Sequence, residues 1–135
     1  MKQLKLLLSL MTIFVLCLSI AGCTTTAPPI DMGVVIMDHD KNVMWQGNIT
    51  VEGLTPLDAL DVASGIGGFD YNLNVENNYV TGIMDLSESS EGSVWQGWMF
   101  FVNGTMPLEA VSSVHLYDGS TLVWYYGSFG ESPFV

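Results

Sequence analysis

Arginine is absent from these 135 residues, and lysine occurs only at Lys2, Lys5 and Lys41. Against them stand 14 Asp and Glu, for a formal net charge of −11. A chain this poor in cations cannot neutralise a run of phosphates, which excludes nucleic acid as a partner. Cysteine occurs twice, at Cys17 inside an apolar leader and at Cys23 at its end, so no thiol remains for a disulfide, a zinc site or a nucleophile. Histidine is limited to His39 and His115. Nothing resembles a nucleophile elbow or a triad, and an enzyme is not expected. Asp38-His39-Asp40 sets two carboxylates around an imidazole, but neighbouring residues in extended chain point to alternate sides and no third ligand is near. It reads as a solvated turn, and no metal is expected there.

The first residues carry an address. A basic start, Met1–Lys5, leads into the mainly apolar run Leu6–Ile20 and the small pair Ala21-Gly22 before Cys23. This is the layout of a secretion signal, and the run is too short to favour a permanent transmembrane helix. Ser19-Ile20-Ala21-Gly22-Cys23 resembles the lipobox of prokaryotic lipoproteins. That resemblance implies cleavage before Cys23, a lipid on its sulfur and residence on the extracytoplasmic face of the cell membrane. Residues 1–22 are then signal peptide, 23–33 lipid attachment and tether, and 34–135 the domain. Beyond Cys23 one lysine faces all 14 acidic side chains, a net charge of −13. An anionic membrane surface repels such a domain, so the anchor must do the holding. The tether spans at most roughly 35 Å when extended, which keeps the domain near the headgroups.

What is abundant is apolar and aromatic. Val34–Met37 and Val43–Val51 read as a hairpin around the polar turn Asp38–Asn42. One helix follows, with Thr55 as N-cap, Pro56 at N1 and Asp58 at N3; Leu57, Leu60, Val62 and Ala63 form its apolar stripe, and Gly65 is expected to stop it, with Gly67-Gly68 confirming the stop. Phe69–Leu73 and Tyr79–Leu86 read as strands, with Gly82 marking a bulge. Ser87–Ser93 reads as a mobile polar loop, and Ser113–Tyr117 as a brief strand. Two strands are apolar on both faces: Trp95–Val102, ending at the turn dipeptide Asn103-Gly104, and Thr121–Tyr126. The triplet Trp-Gln-Gly occurs at 45–47 and at 95–97, and the unmatched flanks make it a coincidence. The order of elements predicts an α+β fold, a β-grasp-like mixed sheet with one helix packed on it.

The helix start Thr55–Leu60, Tyr79-Val80 with Gly82-Ile83, Trp98–Gly104, and Asp118-Gly119 with Trp124-Tyr125-Tyr126 together resemble the transcobalamin-like C-terminal domain, the DUF4430 family. Ser120 departs from it, where the family usually has Asp. The resemblance covers about Val34 to Tyr126 and implies a domain that covers one face of cobalamin, the helical domain that covers the other face being absent. It implies no cofactor beyond a corrinoid as ligand. Four Trp, five Tyr and five Phe beyond Cys23 are too many to be all interior. Trp98, Trp124 and Tyr126 are expected in the core, and Trp95, Tyr125 and Trp45 at the surface. The candidate ligand-binding residues are Trp95, Trp98 and Tyr125, since planar side chains suit a flat, amide-fringed ligand. The expected function is a lipid-anchored extracytoplasmic ligand-binding module, capturing cobalamin or a related corrinoid for a transporter. The alternative is a surface interaction or adhesion module binding a protein or glycan.

Overall fold

The computed structural model describes Gly22 and residues 26–135. Cys23 and the signal segment before it, Gly22 apart, lie outside the described residues. Among the described residues, no helix is long and apolar enough to cross a membrane.

β1 (Ile30–Met37) and β2 (Val43–Val51) form the antiparallel hairpin. β1 begins four residues before Val34 because Ile30 and Met32 are themselves buried and continue its alternation. The turn is closed by Asp38, whose carboxylate accepts the N–H groups of Asp40 and Asn42 at 3.0 and 2.9 Å and the Asn42 side-chain amide at 3.0 Å. These bonds, led by the Asn42 amide, hold the Asp38 pKa below the usual carboxylate value.

α1 (Pro56–Gly67) opens with a complete capping box: Thr55 Oγ1 accepts the Asp58 N–H, and the Asp58 carboxylate accepts the Thr55 N–H. It runs past Gly65, which points into open space, and ends at Gly68 in the left-handed conformation (φ 66°). Ala59, Leu60 and Ala63 are buried beneath it.

β3 (Tyr71–Asn74), β4 (Tyr79–Ile83) and β5 (Leu86–Ser87) make a small antiparallel sheet. The expected single strand Tyr79–Leu86 is broken at Met84, whose positive φ of 54° turns the chain back. The register skips Thr81, so the bulge adjoins Gly82. The expected loop Ser87–Ser93 contains a short edge strand, β6 (Ser89–Glu91), which turns at Gly92 (φ 70°) into β7 (Val94–Val102). Ser113–Tyr117 is not a strand: Val111 and Leu116 are the residues that insert, and a spacing of five cannot lie on one strand face. β8 (Thr121–Ser128) completes a five-stranded sheet in the order β2-β1-β8-β7-β6, with β1 and β8 parallel and the other neighbours antiparallel.

Both faces of this sheet are apolar. Val34, Ile36, Leu122, Trp124, Tyr126 and Trp98 pack in the main core with the helix and the small sheet. Met99, Phe101, Val123 and Tyr125 form a second cluster on the opposite face. Among the described residues the fold is thus mixed, one helix with two sheets of mostly antiparallel strands.

Candidate ligand-binding groove

β7 has β8 along one side but β6 only along Val94–Gln96. The chain leaves the sheet at Glu88, whose N–H is donated to Thr81 of β4. From Gly97 the outer edge has no strand beside it among the described residues until Val102 exchanges bonds with Thr105 at 2.8 and 3.1 Å. The segment after the Asn103-Gly104 turn cannot extend this pairing, because Pro107 lacks the N–H a ladder needs. It stands off as a loop instead. Between that loop, the Asn77–Tyr79 turn and the β7 edge lies an apolar groove of about 360 Å³.

Trp95, expected at the surface, is half-buried and lines this groove. Its ring packs against Tyr79, with centroids 6.2 Å apart. It lies across Gly97, where a Cβ would collide with the Trp95 ring and stand 2.6 Å from the Tyr79 hydroxyl oxygen. Tyr79 in turn donates its hydroxyl to the Trp98 carbonyl at 3.2 Å. Burial and then the Glu88 carboxylate push the Tyr79 phenol well above its ordinary pKa.

Trp98 lines the groove from the core. It is only 2% exposed; its ring packs on Tyr126 at 5.3 Å and its Nε1 donates to the Leu86 carbonyl at 2.9 Å. Its polar edge is therefore already satisfied. Trp124, expected in the core, is there at 1% exposure, yet it too lines the groove, and its buried Nε1 has no partner among the described residues. Phe100 packs on it at 5.4 Å.

Tyr125 is corrected by the structure. It is 2% exposed and belongs to the second cluster, on the sheet face opposite Trp124. Two causes act together. Strand alternation turns residue 125 away from the groove. The C-terminal segment then covers that face, with Phe134 edge-on to Phe101 at 5.6 Å. The Tyr125 hydroxyl donates to the His39 carbonyl at 3.3 Å. Trp45 is half-buried against Phe69, with centroids 5.8 Å apart.

Sequence reasoning missed Tyr79, Phe100 and the loop wall around Met106–Glu109. The available signal was an apolar triplet, Met106-Pro107-Leu108, in a segment barred from pairing. Among the described residues there is no group of three or more His, Cys, Asp or Glu placed to hold a metal. Glu109 is the acidic member of the groove lining, and Lys41 lies in a different cleft beside Tyr125.

No curated protein matches the chain. Among solved structures, it is similar to one described as "a putative metal binding protein from Ruminococcus gnavus", with a TM-score of 0.56 and 11% identity over 73% of this chain and 97% of that one. At that identity the likeness concerns the fold alone. The family pattern described as "Domain of unknown function (DUF4430)" matches residues 54–128, from the approach to α1 to the last residue of β8 and thus around most of the groove. The chain belongs to the DUF4430 family.

Proposed function

We propose that this chain is a lipid-anchored extracytoplasmic binding module that captures its ligand in the β7 groove. The observation that carries the reading is an aromatic-lined apolar groove opening beside an unpaired strand edge. Apolar walls with a few polar groups are what ligand sites offer, and about 360 Å³ falls in their lower range. The parallel pairing of β1 with β8 and a helix crossing after the first hairpin support a β-grasp-like arrangement. No catalytic role is proposed.

The resemblance to the transcobalamin-like domain supports a corrinoid as the ligand. A corrinoid would overfill this groove and stand out of it, leaving its far side for a transporter or surface protein to close over. One-sided burial makes modest affinity the expected outcome. Trp95 and Trp98 are the contacts this reading keeps; Tyr125 is dropped. The test is titration of the full chain in nanodiscs with cyanocobalamin and dicyanocobinamide, read by absorbance and tryptophan fluorescence. Saturable binding lost in Trp95→Ala supports corrinoid capture, and no binding at high micromolar concentration defeats it. The second reading, a protein partner, is favoured by the exposure of Leu108 and Phe129 in the groove lining.

The anchor rests on the lipobox-like Ile20–Cys23. Cys23→Ala should shift the protein out of the membrane fraction or leave it unprocessed. Unchanged mobility and membrane recovery would remove the lipoprotein assignment.

A further inference from the structure

The backbone of β7 says more about the occupant than the side chains do. Residues of an antiparallel strand direct their N–H and C=O to the two sides alternately. Gln96 pairs outward with Ser89, the Trp98 carbonyl meets Tyr79 at the outer edge, and Val102 bonds outward to Thr105. Asn103, of opposite parity, donates inward to Thr121 of β8. Phe100 therefore directs both its N–H and its C=O outward, between Trp98 and Val102, and neither group meets a partner among the described residues. An orphan donor and acceptor on one residue form a template for one residue of another extended chain.

The surroundings specify that chain further. Leu108 is 97% exposed and Phe129 79% exposed, and both line the groove. Glu109 lines it as well, and Glu88 lies close enough to act on Tyr79. Lys41, the sole Lys or Arg beyond Cys23, lies in another cleft and donates to the Val135 carbonyl. Glu109 thus brings negative charge to a groove that has no Lys or Arg in its lining among the described residues.

We infer that the groove receives a short extended polypeptide segment of another protein, paired through its backbone to Phe100, apolar where it meets the groove and flanked by Lys or Arg. This rests on the reading that the groove is the binding site, and it names the class of partner. Backbone pairing on a strand edge supplies affinity while pockets select alternate side chains. The acidic lining selects cationic flanks and makes association sensitive to salt.

The probe is an acetylated, amidated heptapeptide with a Val-Leu-Val centre and two lysines at each end. It is added to the isotopically labelled full chain in nanodiscs and followed by amide NMR. The expected result is saturable movement of the Phe100 amide and the Trp95 indole signal. Methylating the central peptide nitrogen should weaken binding about tenfold, the scale of one lost hydrogen bond. Replacing the lysines by glutamates, or raising the salt, should weaken it as well. Equal binding by the methylated and glutamate-flanked peptides, or shifts away from β7, would overturn the inference. Dicyanocobinamide serves as the second arm. If it moves the same signals while no peptide does, the groove stands and the polypeptide inference falls. If neither probe moves them, both fall.

Discussion

Trp45 and Trp95 begin the same triplet, lie on strands of one sheet, and end in different surroundings. In both, the indole folds over the glycine two residues on. A Cβ on Gly47 would stand 2.9 Å from Trp45 Cη2, and one on Gly97 would run into the Trp95 ring. Tyr125 does the same over Gly127. Successive residues at i and i+2 share a strand face, so a ring followed at that spacing by a missing side chain lies flat along the sheet. The difference is what stands across from the ring. Trp45 meets the end of α1, with Phe69 and Gly67 closing around it. Trp95 meets Tyr79 on one side and the groove on the other. A surface aromatic becomes a candidate contact when the opposing element stops short, which its own strand does not determine.

The largest effects should come from residues that the two regions share as support. Trp98→Ala empties a fully packed site, removes the Tyr126 contact and takes the Nε1 donor from the Leu86 carbonyl. It should cost about 3–5 kcal/mol in urea unfolding. Leu60→Ala, under the helix that closes over Trp45, should cost about 2–5 kcal/mol. A change below about 1 kcal/mol in either would mean that the core is not packed as described.

How much of this was legible follows from the range of the forces involved. The helix start could be read because its capping box is a four-residue device. The two apolar strands could be read because alternation is local, and it placed Trp98, Trp124 and Tyr126 in the core. The same alternation puts Tyr125 opposite Trp124, but which face stays open depends on the covering segment around Phe134, which has no periodicity of its own. The groove wall is a similar case. Pro107 announces a segment that cannot pair, but only the tertiary arrangement leaves Leu108 exposed and Met106 against the second cluster. The helix end was misplaced because a glycine stops a helix only where the left-handed turn is also accommodated, at Gly68 and not at Gly65.

Two smaller contrasts test the Trp45 and Trp95 comparison directly. Gly97→Ala should cost about 1–3 kcal/mol, since the Trp95 ring and the Tyr79 hydroxyl must both move. Gly47→Ala should cost less, because only the Trp45 side chain has to give way. Equal melting temperatures for the two variants would contradict the asymmetry. Trp45→Ala and Trp95→Ala remove half-buried rings and should each cost about 1–2 kcal/mol. Only Trp95→Ala should also weaken ligand binding; equal losses from the two would move the site off the groove.

The smallest effect separates the two regions by pH. Tyr79 stands beside Trp95, half-buried, with its hydroxyl donated to the Trp98 carbonyl and its pKa raised by burial and by Glu88. Trp45 has Phe69 in the corresponding place, which has nothing to titrate. An unfolded tyrosine ionises near pH about 10, whereas the folded Tyr79 holds its proton to higher pH. Below that value both states are neutral and Tyr79 adds no pH dependence. Above it the unfolded chain gains by ionising while the fold does not, so stability falls as pH rises from about 10 toward the folded value. Tyr71 and Tyr125, also raised chiefly by burial, act in the same direction. Tyr79→Phe should therefore lose about 1 kcal/mol at neutral pH through its missing hydrogen bond. It should also show a shallower alkaline decline than the parent chain, the remaining slope being that of the other tyrosines. Unfolding by urea at pH 7 and at pH 11 measures both quantities. An unchanged alkaline slope would show that Tyr79 ionises as freely in the fold as outside it, and that the Trp95 side of the groove is wetter than its geometry implies.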